Sequence, residues 1–513
     1  MRPVRALVLC LLVAAPSVAN ADLVTRMLDD ASASPNATAD DLMAWAGTPQ
    51  PITLPELLQF AVQQAPSLQN AKLDIAVAEA QIGETWARRD WHVSAQATGT
   101  KTAGFFSGFS INNEDIYGVT ADLSRVLPTG GTFDLHAGTQ YSKYTIDVLG
   151  SAMDSTTWQD TLSASLTQPL LKGRGQALYD ATEKKAKLQR DATVLARRLA
   201  AINTLETIVS GYWDLVLAER QVAITEASLD LARERLRVTE IEAKGGRTAQ
   251  SEIPAVLQII ATRQEDVLNG QLAVVDASIA LRRAAGMPIG AGALGFRVPT
   301  ELDAQDRGWK LADLLERAYA ASPELAQLAK QDASATIDVE VTENGLLPQL
   351  DAAVSIGPLG IDSSASNALK QLAEFKSIAI TGSLTFSRSI QQRDVKYRVT
   401  ELRTAREKLR VNAFDVRAQY AQAMSRAVAQ VELAKRRVGL SQQAIDLANQ
   451  NIKIETDRFN LGRSTNFDVL NRLEDLRQAE LRKAQALVDW HKGEALVVGL
   501  TGEILPLYGV TLD

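Results

Sequence analysis

Two long stretches of the chain carry apolar residues at heptad intervals, a pattern that predicts long α-helices packed side by side. Prolines are absent from residues 170–253 and 359–505, so each stretch can hold a helical region of about 70 residues. In the first stretch the stripes are Ile208, Leu215, Val222, Leu229 and Leu236, and Leu217, Ile224, Leu231 and Val238. In the second they are Val431, Val438, Ile445, Ile452 and Phe459, and Leu433, Leu440, Leu447, Ile454 and Leu461.

The two stripes of each helix are displaced by two residues, which is about 200° around a helix at 100° per residue. A two-stranded coiled coil needs only one apolar seam. Two seams on nearly opposite flanks therefore indicate that each helix contacts a neighbour on either side. Helices arranged in this way form a wall, and a closed wall is a hollow cylinder. The alternative is an ordinary helical bundle, in which both seams converge on one core.

Each pair of stripes ends close to a glycine-containing turn. These turns are Gly245-Gly246 in the first stretch and Gly462 in the second. Glycine adopts the left-handed backbone conformation that ends a helix and reverses the chain. The sequence therefore predicts two long helical hairpins with tips near residues 245 and 462.

Alternating apolar and polar residues predict β-strands between the helical runs. The segments lie at about residues 92–104, 116–127, 131–146, 157–169, 348–358 and 377–388. In the last segment Ile380, Leu384 and Phe386 share one face, and polar Ser and Thr side chains share the other. Strands of about ten residues with this pattern suit a transmembrane β-barrel with a wet lumen. Half-buried strands of a water-soluble domain are the alternative.

The chain also contains two copies of one unit, residues 52–290 and 309–500. Their openings match without a gap, as Leu54, Leu57, Leu58, Ala61, Pro66 and Leu68 against Leu311, Leu314, Leu315, Ala318, Pro323 and Leu325. The first copy is longer by about 41 residues, which hold the segments 116–127 and 131–146. We expect either six barrel strands per chain or four strands and an extracellular flap. Residues 291–308 are expected to form a connector and residues 501–513 a C-terminal tail.

The first 21 residues have the pattern of a secretory signal peptide: Arg2 and Arg5, an apolar run, and Ala19-Asn20-Ala21. The only cysteine, Cys10, lies inside this segment, so the expected mature chain has no thiol. Residues 22–51 are expected to form a leader. The full chain carries 54 basic and 61 acidic residues, a balance that argues against a nucleic-acid partner. After the signal, the sequence has no apolar run long enough to predict a membrane-spanning helix.

Several motifs resemble those of the TolC-like outer-membrane efflux family. The segment 162–171, LSASLTQPLL, is similar to the family's junction between strand and helix. The segment 458–471, RFNLGRSTNFDVLN, is similar to its periplasmic tip. Pro66-Ser-Leu and Pro323-Glu-Leu resemble the openings of its two repeats. The resemblance covers about residues 52–505, and the order and spacing of the motifs carry it.

The resemblance implies a homotrimer with a β-barrel in the outer membrane and a long α-helical barrel that extends into the periplasm. It implies a passive, gated exit duct of a tripartite efflux or type I secretion system. The partners would be a periplasmic adaptor protein, an inner-membrane transporter of the RND, ABC or MFS type, and outer-membrane lipid. Adaptor docking would use the two tips, which are Gly245, Gly246, Arg247 and Thr248, and Leu461, Gly462, Arg463 and Ser464.

The family's constriction, carried over to this sequence, falls just after the second tip. Its first acidic position is Asp468, its second is occupied by Asn471, and its latch tyrosine is replaced by Phe459. The sequence predicts no cofactor and no metal site, because His92, His136 and His491 lack metal-ligand spacing. An enzyme is therefore not expected. A periplasmic coiled-coil protein without a pore and a secreted hydrolase on a helical scaffold are the rival hypotheses.

Overall fold

The computed structural model describes residues 50–106, 109–148, 151–246, 249–290, 295–298 and 306–508. The predicted signal peptide and the leader up to residue 49 lie outside the described residues. So do most of the connector and the last five residues of the tail. The described chain is mostly helical and includes one large sheet.

Two long helical hairpins dominate the molecule. One consists of α4 (Ala181–Lys244, 64 residues) and α5 (Glu252–Ala285), and the other of α9 (Arg393–Asn460, 68 residues) and α10 (Asn466–Leu500). The helices in chain order are α1 Leu54–Gln64, α2 Pro66–Thr85, α3 Gln176–Tyr179, α4 Ala181–Lys244, α5 Glu252–Ala285, α6 Leu311–Ala321, α7 Pro323–Asn344, α8 Ala365–Ala373, α9 Arg393–Asn460, α10 Asn466–Leu500 and α11 Ile504–Leu507. At 1.5 Å per residue, each long helix extends on the order of 100 Å. Among the described residues, no helix combines the length and the low polarity needed to cross a membrane.

The predicted glycine turns close both hairpins. Gly246 and Gly462 have φ angles of 73° and 72°, in the left-handed region that favours glycine. At the second tip the amide of Gly462 donates to the carbonyl of Phe459 at 2.8 Å, and the amide of Arg463 donates to the carbonyl of Arg458 at 2.8 Å. These bonds satisfy carbonyls that the end of α9 leaves without helical partners.

The long helices lie side by side in a row. Toward the tips the order is α5, α4, α10 and α9, while nearer the sheet α2 and α7 flank α4, and α7 also contacts α9. The main apolar core lies where α1, α4 and α5 meet, around Leu58, Leu205 and Leu281. Fully burying such a side chain contributes about 1.5–3 kcal/mol.

The strands described are β1 Gln50–Pro51, β2 His92–Phe106, β3 Phe109–Val126, β4 Thr132–Val148, β5 Ser151–Pro169, β6 Phe296–Arg297, β7 Gln349–Asp362 and β8 Ile378–Ser387. Six of them form one antiparallel sheet in the order β2-β3-β4-β5-β7-β8. The hairpin of β3 and β4, which the sequence predicts as an addition to the first of two copies, pairs within this sheet along its whole length and does not form a separate flap.

Two features of the fold have no counterpart in the sequence prediction. A short parallel pairing joins β1 to β6, which brings the end of the leader to the connector. A nine-residue helix, α8, lies between β7 and β8.

Candidate functional site

The six strands described give the sheet two chemically different faces. Residues paired across antiparallel strands project to the same side, so the register assigns each side chain to a face. One face, here called the apolar face, includes Val93, Ala95, Val119, Ala121, Leu135, Ala137, Leu162, Ala164, Val354, Ile356, Ile380 and Leu384. Ile380 on this face is 71% exposed. An apolar area this broad marks an interaction surface.

The opposite, polar face carries hydroxyl, amide and charged groups. It includes Ser94, Gln96, Thr98, Thr120, Asp122, His136, Gln140, Thr161, Ser163, Ser165, Thr381, Ser383 and Thr385. Nδ1 of His136 lies 2.6 Å from Oδ1 of Asp122 across β3 and β4. The sheet is therefore apolar on one side and hydrophilic on the other, the division that a water-filled barrel in lipid requires.

The first heptad region has the two-sided packing that the sequence predicts. One stripe of α4 packs against α5, where Leu229 contacts the cluster that contains Val256 and Ile260. The other stripe faces α10, where Leu217 and Ile224 pack with Ala484 and Val488. Both stripes of α4 thus have a neighbouring helix within one chain, and Leu231 of the second stripe stays 47% exposed.

The second heptad region differs, because only one of its stripes is covered within the described chain. Val431 packs with Ala434 and Trp490 on the α10 side. The other stripe of α9, here called the outer stripe, is between 56% and 71% exposed: Leu433, Leu440, Leu447, Ile454 and Leu461. At the other end of the row, α5 also exposes Leu257, Leu268 and Leu272. The row of helices therefore ends in an apolar surface on both sides.

The structure brings the predicted tip residues together at one end of the molecule. Gly245 caps α4, and Gly245, Gly246, Leu461, Gly462 and Arg463 are exposed. The Ser464 hydroxyl donates to Oε1 of Glu455 at 2.5 Å. Arg247 and Thr248 lie outside the described residues.

Asp468 forms a capping box at the start of α10. Its Oδ2 atom accepts hydrogen bonds from the Thr465 hydroxyl at 2.7 Å and from the Thr465 amide at 3.1 Å. These bonds lower the pKa of the Asp468 carboxyl from its usual value. Asp468 is exposed, and Asn471 is exposed about one turn further along the same helix. Both positions of the expected constriction thus lie on one accessible side of α10.

Phe459 is buried at the end of α9, beneath the guanidinium of Arg235 from α4. The Arg235 Cζ atom lies 3.8 Å from the ring centroid, a cation–π contact between the two hairpins. Burial lowers the pKa of Arg235. Phe459 is among the residues expected near the constriction, whereas its partner Arg235 is not predicted from the sequence.

Buried polar contacts tie α5 to neighbouring helices near the tips. Asn466 at the start of α10 donates from Nδ2 to Oε2 of Glu252 at 2.6 Å. Arg263 of α5 is 4% exposed; its Nη1 donates to the Ser228 carbonyl at 2.6 Å and its Nη2 lies 3.8 Å from Glu474 of α10. The contacts of Glu252 with Asn466 and of Arg263 with Glu474 join the two hairpins and are here called the inter-hairpin tie. The sequence does not predict this tie.

Charge on the tie is partly neutralised by a second arginine. Arg477 binds Glu474 through two nitrogens, at 2.6 and 2.8 Å, and its Nη1 lies 4.0 Å from Asp266 of α5. The bonds to Glu474 raise the pKa of Arg477. The described residues contain no group of three or more His, Cys, Asp or Glu side chains placed to hold a metal ion.

Solved structures with the same architecture are outer-membrane proteins. VceC, an outer membrane protein of Vibrio cholerae, is 15% identical, with 88% of this chain and 96% of that chain covered and a TM-score of 0.64. The CmeC outer membrane channel of Campylobacter jejuni is 13% identical, covering 90% and 86%, at a TM-score of 0.63. The MtrE outer membrane channel of Neisseria gonorrhoeae in its open state is 15% identical, covering 90% of each, at 0.61.

These likenesses define the fold class. The chain has the TolC-like fold of outer-membrane channels, and the resemblance stated from the sequence is confirmed at the level of the fold. No family model matches the sequence, and no curated protein matches it. Structure, and not sequence identity, therefore carries the relationship.

Proposed function

We propose that three copies of this chain form a channel through the outer membrane that serves as the exit duct of an efflux or type I secretion system. The channel would be a passive conduit that makes and breaks no covalent bond. The observation that carries this proposal is the exposed outer stripe of α9, which repeats in heptads and lacks a partner within the described chain.

The outer stripe supports association of copies in a closed ring. The opposite side of the row is also apolar, at Leu257, Leu268 and Leu272 of α5, so α9 of one copy would meet α5 of the next. A head-to-tail contact of this kind produces either a closed ring or an open filament. The fold that the chain shares with outer-membrane channels favours the ring.

The free edges of the sheet also support closure of three chains into a ring. β2 and β8 are the edge strands of the six described, and neither edge is paired on its outer side by another described strand. Because six strands alternate in direction, β8 of one copy would run antiparallel to β2 of the next. Three chains of six strands would then close an eighteen-stranded barrel, with the apolar face toward lipid and the polar face toward the lumen.

The helical hairpins would form a second barrel that extends into the periplasm, and their tips would be its inner end. The tips are proposed to contact a periplasmic adaptor protein. The residues involved would be Gly245, Gly246, Arg247, Thr248, Leu461, Gly462, Arg463 and Ser464. The adaptor would connect the duct to an inner-membrane transporter of the RND, ABC or MFS type. Exposed backbone turns that end long helices are suitable for such contacts, because they protrude beyond the wall.

The inter-hairpin tie is proposed to hold the tips closed. Opening requires α5 to move relative to α10, which breaks the Glu252–Asn466 hydrogen bond and separates Arg263 from Glu474. Hydrogen bonds to charged groups contribute about 1.5–3 kcal/mol each, so a partner that favours the open form must supply a comparable free energy. Rings of Asp468, with Asn471 beside them, would make the constriction attractive to cations.

Membrane fractionation followed by conductance measurements tests the proposed function. The channel should remain with outer membranes until detergent is added, and the purified protein should insert into planar lipid bilayers with discrete current steps. A protein that is released without detergent and gives no current steps would be a pore-less periplasmic coiled-coil protein, and the proposal would be wrong.

A further inference from the structure

The helix α8 packs on the apolar face of the sheet. The side-chain direction of Gly360 on β7 is that of Val354 and Ile356, because strand residues of the same parity share a face. A Cβ atom on Gly360 would lie 2.0 Å from the Ala368 carbonyl oxygen of α8. Gly360 is thus the position where the helix rests on the strand, and Ala368 is fully buried there. Asp160, the partner of Gly360 on β5, is also buried.

Hydrogen bonds hold α8 in this position. The Gln371 side chain accepts from the backbone amide of Ile361 at 3.3 Å and donates to Oδ2 of Asp362 at 3.2 Å. Oδ1 of Asp362 accepts from the backbone amide of Ser364 at 3.1 Å, and the Ser364 hydroxyl caps the helix by accepting from the Asn367 amide. The contact between helix and strand is therefore specific.

Helix α8 and the residues that follow it, up to Lys376, present an apolar surface bordered by lysines. Leu369 and Phe375 are 58% and 59% exposed. Lys370 and Lys376 both pair with Glu374, which leaves these three residues with one net positive charge. Exposed apolar side chains next to basic groups are typical of helices that lie in a membrane interface.

The height of α8 along β7 matches the boundary between the apolar band of a membrane barrel and the lipid headgroups. β7 begins at Gln349, at the end of the sheet near the long helices, and reaches Gly360 eleven residues later. At about 3.4 Å per residue and a tilt of 35–45°, this corresponds to a rise of about 26–31 Å. The apolar band of a membrane β-barrel is about 25 Å tall. The helix therefore begins where the band ends.

We propose that α8 lies in the outer leaflet at the boundary between acyl chains and headgroups, with Leu369 and Phe375 in contact with lipid and Lys370 and Lys376 near lipid phosphates. The surface continues the apolar face of the sheet, so the inference depends on the proposed position of that sheet in a membrane. It adds a lipid contact outside the barrel wall itself.

Site-specific fluorescence in liposomes tests the proposal. The full-length chain with Cys10→Ser has no other cysteine. In this background Leu369→Cys, Ile380→Cys or Thr381→Cys is labelled with an environment-sensitive fluorophore and reconstituted into phospholipid liposomes. Ile380 on the apolar face and Thr381 on the polar face are matched controls, since they are adjacent on β8. A nitroxide on the lipid near the headgroup, or a water-soluble quencher, is then added.

The proposal predicts that the lipid nitroxide quenches the Leu369 probe at least as strongly as the Ile380 probe, while the Thr381 probe responds to the aqueous quencher. If the Ile380 probe is quenched by lipid but the Leu369 probe responds only to the aqueous quencher, the α8 proposal is wrong and the membrane position of the sheet survives. A Leu369 probe shielded from both quenchers indicates a protein contact and also overturns the proposal. If Ile380 shows no lipid quenching, both proposals fail.

Discussion

Leu440→Asp tests whether the outer stripe of α9 joins neighbouring copies. Leu440 is the second of the five residues of the stripe and is 65% exposed in the single chain. Its replacement should leave the fold of each chain intact, because the residue packs in none of the buried clusters. The substitution should instead act on association.

The expected loss of assembly free energy follows from the burial of the Leu440 side chain at each interface. Covering a leucine side chain contributes about 1.5–3 kcal/mol, of which roughly 2 kcal/mol would be lost at each interface. A trimer has three such interfaces, so the free energy of assembly should fall by roughly 6 kcal/mol. At 1.4 kcal/mol per factor of ten, the association constant should fall by about four orders of magnitude. Burying an aspartate carboxylate in the seam would add to this loss.

Detergent-extracted protein would be analysed by gel electrophoresis without heating and by light scattering. We expect the unsubstituted chain to migrate as a heat-sensitive trimer and Leu440→Asp to migrate mainly as a monomer. Asn449→Asp is the matched control, because it adds the same side chain at an exposed polar position on the opposite side of α9. The reasoning would be refuted if both variants formed equally stable trimers, or if both were monomers.

Three further predictions concern the tip and the helical region. Asp468→Asn should weaken the block of the channel by divalent cations in planar bilayers, because it removes a negative charge. The asparagine keeps an oxygen that can accept the hydrogen bonds from Thr465. An equal block in both proteins would contradict a cation-binding constriction. Arg263→Met should raise the open fraction of single channels roughly fivefold, since losing the charged contact with Glu474 of α10 removes about 1 kcal/mol from the closed state. The conservative Arg263→Lys should lie between, and unchanged gating in both variants would exclude the tie as a latch. Hydrogen bonding from Arg406 lowers the pKa of Asp332. The pair should therefore stabilise the fold above pH ~4, and this stabilisation should be lost as the pH falls through the lowered pKa of Asp332. Thermal unfolding of Asp332→Asn against the unsubstituted chain should therefore differ at neutral pH and converge in acid, and a difference independent of pH would contradict this.

Much of the architecture could be predicted, because heptad and period-two patterns indicate which side chains pack against a neighbouring element. The two stripes of α4 correctly indicated two neighbours, α5 and α10. The alternation in β3 and β4 identified the additional strands, and their place in the sheet follows from pairing. Helix α8 escaped prediction, because a nine-residue segment is too short for a helical period to stand out from the strands beside it.

Apolar periodicity does not predict the inter-hairpin tie, because the residues that form it are charged or polar. Arg263 lies seven residues after the buried Val256, and Arg477 lies midway between the buried Leu470 and Ala484. A charged residue that interrupts an apolar heptad is a signal that could have identified both. Asp468 poses a different difficulty. Its position three residues after Thr465 suits a capping box as well as a constriction, and spacing alone does not separate these roles.

Electron microscopy of the detergent-extracted full chain tests the central claim most directly. The account predicts particles with threefold symmetry, in which α9 of each copy contacts α5 of the next and β8 pairs with a neighbouring β2 to close eighteen strands. Single chains with the outer stripe of α9 facing solvent, or assemblies in which β2 and β8 stay unpaired, would contradict it.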